Sequence, residues 1–207
     1  MEMEKELLLE KIETDIKSQF LNESTGHDYY HIARVAYMAR QIAQAEHADA
    51  FVCTLAAWVH DIGDYKLNGG VDKSEELIRN FLSEYSLGTS LIDRIVTIVS
   101  QVSFSKGKHA ESLEAKIVQD ADRLDAIGTI GIARAFAYGG SVGHSIYNPI
   151  DPTQNTSVQH FYDKLLKLKE LMHTRTAIAI AEKRQQFLLQ FLEQFYKEWN
   201  MENECLN

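Results

Sequence analysis

The chain has 207 residues, of which 45% are hydrophobic and 25% charged, so it is long enough to bury a core and has the composition of an ordinary globular protein. Its net charge of −9 argues against an extended surface for nucleic acid, although a small anionic substrate stays compatible with it. The first residues lack the basic flank of a signal peptide, no apolar run could span a bilayer, and Cys53 and Cys205 are too few for a disulfide framework. We therefore expect a cytoplasmic protein with free thiols and no membrane partner.

Apolar residues recur at helical spacing along most of the chain. The predicted helices cover residues 7–20, 32–43, 51–59, 73–85, 90–102, 112–138, 158–172 and 177–199. Segment 90–102 is rich in β-branched residues, but its three-to-four spacing of isoleucine and valine favours a helix over a strand. The fold class is all-α.

One long loop is predicted at residues 139–157. It contains Gly139, Gly140, Gly143 and the two prolines of the chain, so it should not continue the preceding helix. A loop of this length is either functional or a connector, and its His144 and Tyr147 could close over a substrate. No repeat or charge block divides the chain, so residues 1–207 are predicted to form a single domain.

Two adjacent polar residues, His60 and Asp61, close the apolar helix 51–59. Burying an unpaired carboxylate is costly, so the doublet needs a partner. His31 lies on the core-facing stripe of the second helix, and an acidic cluster at 120–125 supplies aspartates, with Asp122 expected near the start of helix 112–138. A lone His31 could be a core histidine with one hydrogen bond. Two imidazoles and two carboxylates from three helices instead suit a divalent first-row metal, which favours a hydrolase of phosphate esters or anhydrides.

Three segments carry a resemblance to a known family: GHDYYHIARV at 26–35, WVHDIGD at 58–64 and QDADRLDA at 119–126. With 102–104, 128–134 and 165–172, they resemble the HD-domain metal-dependent phosphohydrolase superfamily, and in particular its small standalone bacterial members. The resemblance runs from about residue 26 to about residue 199. It implies a helical HD bundle with a core at about 26–130, on which C-terminal helices at about 157–200 pack.

The resemblance also implies the residues of the site. The metal ligands would be His31, His60, Asp61 and Asp122, holding one divalent ion that could be Mn, Fe, Co, Ni, Zn or Mg. Asp64 would activate or orient the attacking water, with a simple turn carboxylate as the alternative. Of the other two aspartates of the cluster, Asp120 and Asp125, one could face solvent while the other pairs with Arg123 or Arg134.

The implied reaction is hydrolysis of a phosphoester or phosphoanhydride bond, with a nucleotide or similar small phosphorylated metabolite as the substrate. A bound metal lowers the pKa of its water from about 15.7 towards about 7 and so supplies hydroxide near neutral pH. Cations must then offset the charge that develops on phosphorus. The candidates for substrate binding are His27, Arg34, Lys66 and Arg123, each of which could instead form a surface ion pair.

Two other functions are compatible with parts of this pattern. Relatives with two metals place further histidines between the doublet and the last aspartate, whereas this interval holds only His109. That difference favours one metal and weakens the case for a di-iron oxygenase. A non-catalytic metal or nucleotide sensor that retains the HD site stays open as the alternative.

Overall fold

The computed structural model describes residues 2–21, 27–65, 69–102, 109–151 and 153–201. Within these ranges there is no β-strand, which confirms the predicted all-α fold. The α-helices are α1 (Glu2–Phe20), α2 (Tyr29–Ala45), α3 (Ala50–Val59), α4 (Ser74–Ser83), α5 (Thr89–Ser100), α6 (Leu113–Asp125), α7 (Gly128–Ser141), α8 (Ser157–Asp163) and α9 (Arg175–Trp199). A 3₁₀ helix covers Leu165–Leu171. Among the helices described, none has both the length and the apolar character that crossing a bilayer requires.

The chain divides into two compact units. The first contains the described residues of Met1–Asp125 together with His173–Ala177, and the second contains those of Ala126–Met172 and Ile178–Asn207. The expectation of a single domain with C-terminal helices packed on the core therefore stays a prediction.

Helix α2 lies at the centre of the first unit and packs against α3, α6 and α1. Its buried stripe includes Ile32, Val35, Ala39 and Ile42, and His31 lies beside them. Every residue of α3 from Val52 to Val59 is buried, which explains why this helix is apolar on all sides. The C-terminal end of α3, which is followed by His60 and Asp61, therefore lies in the core.

Aspartate caps fix where the two central helices begin. The Asp28 carboxylate accepts a hydrogen bond from the His31 backbone N–H at 2.7 Å, and Asp49 accepts one from Val52 at 3.1 Å. Such caps satisfy N–H groups that the first helical turn leaves without partners. They hold α2 and α3 in the register that points His31 and His60 inwards.

The predicted helix 112–138 is in fact two helices. The chain becomes extended at Ile127 (φ −125°, ψ 166°), and α7 starts at Gly128 with a φ of +77°. A Cβ on Gly131 would lie 2.2 Å from the carbonyl oxygen of Ala126, so this turn requires a glycine there. As a consequence, Asp122 lies in the last turn of α6 and not near the start of a helix.

Two other boundaries also differ from expectation. Helix α7 continues through Gly139 and Gly140 to Ser141, because glycine weakens a helix without removing its hydrogen bonds. Gly139 also has a packing role, since a Cβ there would lie 2.1 Å from Ser157 Oγ. The predicted helix 158–172 is divided into α8 and the 3₁₀ helix.

The shortened loop after α7 is held by contacts within the second unit. His144 N–H donates to the Gly139 carbonyl at 2.8 Å. The Tyr147 ring packs edge-on against Tyr196 and Trp199 of α9, with ring centroids 5.4 and 5.2 Å apart. The choice between a lid and a connector stays open, and the proposed contact of this loop with a substrate stays a prediction.

The turn after α3 yields a stability prediction. Gly63 has a φ of +73°, and a Cβ on it would lie 2.7 Å from the backbone carbon of Lys73. Gly63→Ala should therefore lower the free energy of unfolding by more than the roughly 1–3 kcal/mol of a strained backbone alone. Denaturant titration followed by circular dichroism measures the loss.

Gly143→Ala is the matched control for this prediction. Gly143 has nearly the same φ, +75°, but a Cβ there would meet nothing within 4 Å. The Gly143→Ala variant should therefore lose only the free energy that the strained backbone conformation costs. Equal losses for the two variants would show that the close approach of Gly63 to Lys73 has no effect on stability.

Candidate metal centre

The first unit brings the four predicted ligands together. His31 Nε2 lies 3.5 Å from both Asp61 Oδ2 and Asp122 Oδ1, and His60 Nε2 lies 3.5 Å from Asp61 Oδ1. One ligand atom from each of His31, His60 and Asp122 lies within 4.8 Å of the others. Helix α2 supplies His31, the C-terminal end of α3 supplies the doublet, and the last turn of α6 supplies Asp122.

These residues fit a metal ion. A separation of 3.5 Å is longer than an ordinary nitrogen–oxygen hydrogen bond of about 2.7–3.2 Å. Two ligands about 2.1 Å from a shared ion are about 3.0–3.4 Å apart, depending on the angle, so small shifts would suffice. His60 Nε2 is buried and makes no hydrogen bond within the described part of the chain, a costly state that a metal would relieve.

Hydrogen bonds on the far side of each imidazole aim it at the cluster. His60 Nδ1 lies 2.7 Å from the carbonyl oxygen of Ala57, and His31 Nδ1 lies 2.7 Å from Asp125 Oδ2. A carbonyl oxygen and a carboxylate can only accept, so each Nδ1 carries the proton and donates it. In the neutral form of each ring, the lone pair is then on Nε2, which faces the other ligands.

The histidines of the cluster favour an ionised Asp61, and the carboxylates in turn raise the proton affinity of His60. Burial by itself raises the pKa of Asp61, but the neighbouring imidazoles of His60, His27 and His31 lower that pKa to well below its ordinary value. Burial lowers the pKa of His60, and its carboxylate neighbours outweigh this effect, so its pKa is raised overall. Asp61 therefore stays ionised at neutral pH and supplies an anionic oxygen.

The predicted substrate residues His27 and Arg34 lie beside the ligands. His27 Nδ1 is 2.9 Å from Asp61 Oδ2, and His27, His31 and Asp61 form a second group of suitable metal-binding atoms. Arg34 holds both oxygens of Asp125, through Nε at 2.6 Å and Nη2 at 3.0 Å. Lys66, the third candidate, lies outside the described residues.

Asp64 and Arg123 occupy different surroundings. Asp64 is 6% exposed and lies in the turn after the doublet, where its backbone N–H donates to the Asp61 carbonyl at 3.2 Å. Arg123 follows Asp122 on α6, and its Nη1 lies 3.1 Å from Nε2 of His173. Burial lowers the pKa of the Arg123 guanidinium.

The expectation that Asp120 or Asp125 faces solvent is wrong, because both are buried. Asp120 accepts hydrogen bonds from the backbone N–H groups of His173 and Thr174, at 2.9 and 2.8 Å, and from the Thr174 hydroxyl at 2.8 Å. Asp125 instead contacts His31 and Arg34. Each buried carboxylate thus has donors that compensate for its lost hydration.

Sequence reasoning missed the contact between Asp125 and His31. One local signal was available, because Asp125 is three residues after Asp122 and so lies on the same side of α6. The likewise missed contact of His173 with Arg123 joins residues 50 positions apart, for which the sequence offers no comparable signal.

Comparison with known proteins identifies a family for this chain. The family profile "HD domain" matches residues 28–127. The uncharacterized protein YpgQ of Bacillus subtilis is 43% identical over 193 residues, which cover 91% of this chain and 92% of that protein. The crystal structure of that protein in complex with ADP has a TM-score of 0.79 and 40% identity, covering 92% of this chain and 97% of the other.

A second solved structure extends the comparison to a named hydrolase. The HD-superfamily hydrolase from Bacillus thuringiensis has a TM-score of 0.80 and 41% identity, covering 95% of this chain and 98% of its own. The family profile, the sequence relative and the solved structures therefore agree on one family. The chain belongs to the HD-domain family.

Proposed function

We propose that the protein is a metal-dependent phosphohydrolase that cleaves a phosphoester or phosphoanhydride bond of a nucleotide or a similar small phosphorylated metabolite. The observation that carries this proposal is the meeting of His31, His60, Asp61 and Asp122 in the core of an HD-family chain. The choice of a nucleotide is supported by the ADP in the crystal structure of YpgQ.

The four ligands would hold one divalent ion, which could be Mn, Fe, Co, Ni, Zn or Mg. When bound, such an ion acidifies a water ligand and withdraws charge from a phosphoryl oxygen. His31, His60 and Asp61 are buried, while the Asp122 side chain is 30% exposed. We infer that substrate and water approach from the side of Asp122, since the other three ligands are enclosed.

Asp64 is the proposed general base or orienting group for the attacking water. It is buried next to the doublet, where a carboxylate can accept a hydrogen bond from water and hold it in line with phosphorus. Asp64 follows Asp61 by three residues, and the turn at Gly63 leaves both side chains buried.

His27, Arg34, Lys66 and Arg123 are the proposed contacts to the phosphate. Arg34 can serve in two ways, because its Nε and Nη2 hold Asp125 while its Nη1 lies outside that pair. A planar guanidinium can bind Asp125 on one edge and a phosphate on another, since its donors point in fixed directions. The Arg34 side chain is 38% exposed, so it can reach a molecule arriving from solvent.

A screen of nucleotides with each candidate metal tests the proposed function. Phosphate and pyrophosphate should be measured separately, because the two products identify the bond that is cleaved. We expect metal-dependent release of at least one product from a nucleotide. Binding of nucleotide without turnover under all metals would contradict the proposal and favour a sensor.

The ligand set predicts how metal binding responds to substitution. The protein should bind one equivalent of Mn²⁺, and Asp122→Ala should weaken this binding at least about 10-fold, since a lost carboxylate ligand costs at least as much as a lost outer partner. Asp93→Asn is the control, because Asp93 lies in an exposed pair with Arg79 on the surface. Metal content and titration calorimetry measure the effect, and unchanged binding by Asp122→Ala would exclude that ligand.

Asp64 yields a separate prediction. Asp64→Asn should keep the fold and the metal but lower turnover by about 10²-fold or more, because the amide cannot take a proton from water. Single-turnover measurement on metal-replete protein isolates this step. Full activity in that variant would reduce Asp64 to a turn carboxylate.

A further inference from the structure

Both oxygens of the Asp125 carboxylate make contacts at the back of the site, with the proposed ligand His31 and with Arg34. Its Oδ2 lies 2.7 Å from His31 Nδ1 and 3.0 Å from Arg34 Nη2, and its Oδ1 lies 2.6 Å from Arg34 Nε. The residue is 5% exposed, so these contacts are little screened by water. His31, Arg34 and Asp125 come from α2 and α6 and lie behind the proposed metal position.

This arrangement has a direct chemical consequence for His31. A carboxylate that accepts the Nδ1 proton holds the ring in one tautomer and one orientation, and it makes Nε2 a stronger electron donor. Arg34 contributes by holding Asp125 through two parallel hydrogen bonds, which fix the carboxylate plane. His60 differs, because its described Nδ1 partner is the neutral carbonyl of Ala57.

We propose that Asp125 is a positioning residue of the metal centre, which sets the tautomer, direction and donor strength of His31, with Arg34 holding Asp125 in place. The proposal rests on the proposed metal site and adds two residues that do not touch the ion. It also gives Arg34 two roles: Nε and Nη2 would hold Asp125, and Nη1 would bind a substrate.

Asp120 shows what a purely structural aspartate of α6 looks like. It is also buried and lies five residues earlier on the same helix. Its described hydrogen bonds run to the backbone of His173 and Thr174 and to the Thr174 hydroxyl, and so join the start of α9 to α6. Substituting Asp120 should therefore lower stability without changing metal affinity.

The test compares these two aspartates by Mn²⁺ titration of the chelator-treated full-length protein. Asp125→Asn should weaken Mn²⁺ binding by about 10- to 100-fold, the usual effect of losing an outer partner of a ligating histidine. Asp120→Asn should lower the melting temperature and leave Mn²⁺ affinity unchanged. Arg34→Lys keeps a charge but cannot hold both oxygens, so it should weaken binding in the same direction by a smaller factor.

A Co²⁺ absorption spectrum provides a second readout, because it reports ligand geometry independently of turnover and stability. The spectrum of Asp125→Asn should differ from that of the wild type, whereas that of Asp120→Asn should not. If Asp125→Asn folds poorly, the Mn²⁺ affinity and Co²⁺ spectrum of Arg34→Lys test the proposal instead, because that variant keeps Asp125.

The outcomes separate this inference from the proposed site. Wild-type Mn²⁺ affinity in Asp125→Asn and Arg34→Lys, together with its loss in His31→Ala, would overturn the positioning role and leave the site intact. Unchanged affinity in both His31→Ala and Asp122→Ala would instead overturn the proposed metal site. Equal weakening by Asp120→Asn and Asp125→Asn would show that a general loss of stability is responsible, which also overturns the positioning role.

Discussion

The buried charge of Asp61 is the constraint on which the first unit depends. A carboxylate that is 4% exposed loses most of its hydration, at an effective cost of several kcal/mol unless other groups replace the water. Three imidazoles surround it, with nitrogens 2.9 Å away for His27 and 3.5 Å away for His31 and His60. Of these partners, His31 lies in α2, His27 lies just before α2, and His60 caps the same helix that Asp61 follows.

The packing of α2 on α3 follows from this requirement. The caps at Asp28 and Asp49 set the start of each helix, and Gly63 lets the chain turn immediately after the doublet. Helix α6 then adds Asp122 on the open side and Asp125 on the closed side. The apolar core thus holds polar groups in fixed positions, which is the condition for binding a metal with defined geometry.

The same polar groups give metal binding an effect on stability. Without an ion, the site contains the buried carboxylate of Asp61 and a histidine nitrogen, Nε2 of His60, that makes no described hydrogen bond. An ion that binds the native state and not the unfolded chain stabilises the protein by mass action. At the proposed site, metal binding and stability would therefore depend on the same residues. Asp125 would affect both, because it contacts His31 and is itself buried.

Much of the fold could be predicted from sequence, because helical periodicity is a local signal. It located α2 and α3 and correctly assigned the β-branched segment of α5 to a helix. The break between α6 and α7 was missed, because glycine is tolerated in helices and only the backbone geometry shows that a turn requires it: Gly128 has a φ of +77°, and Gly131 approaches the Ala126 carbonyl. For the His31–Asp125 contact, the three-residue spacing of Asp122 and Asp125 on α6 was the one local signal, whereas the contact of Arg123 with His173, 50 positions away, has no comparable one.

The composition of the metal centre is tested most directly by anomalous diffraction from crystals soaked in Mn²⁺. One anomalous peak should appear, about 2.0–2.3 Å from one atom each of His31, His60, Asp61 and Asp122. Asp125 should contact His31 and not the ion. A peak that Asp120 or Asp125 coordinates, two peaks of equal height at the site, or no peak beside His60 would contradict the proposed site.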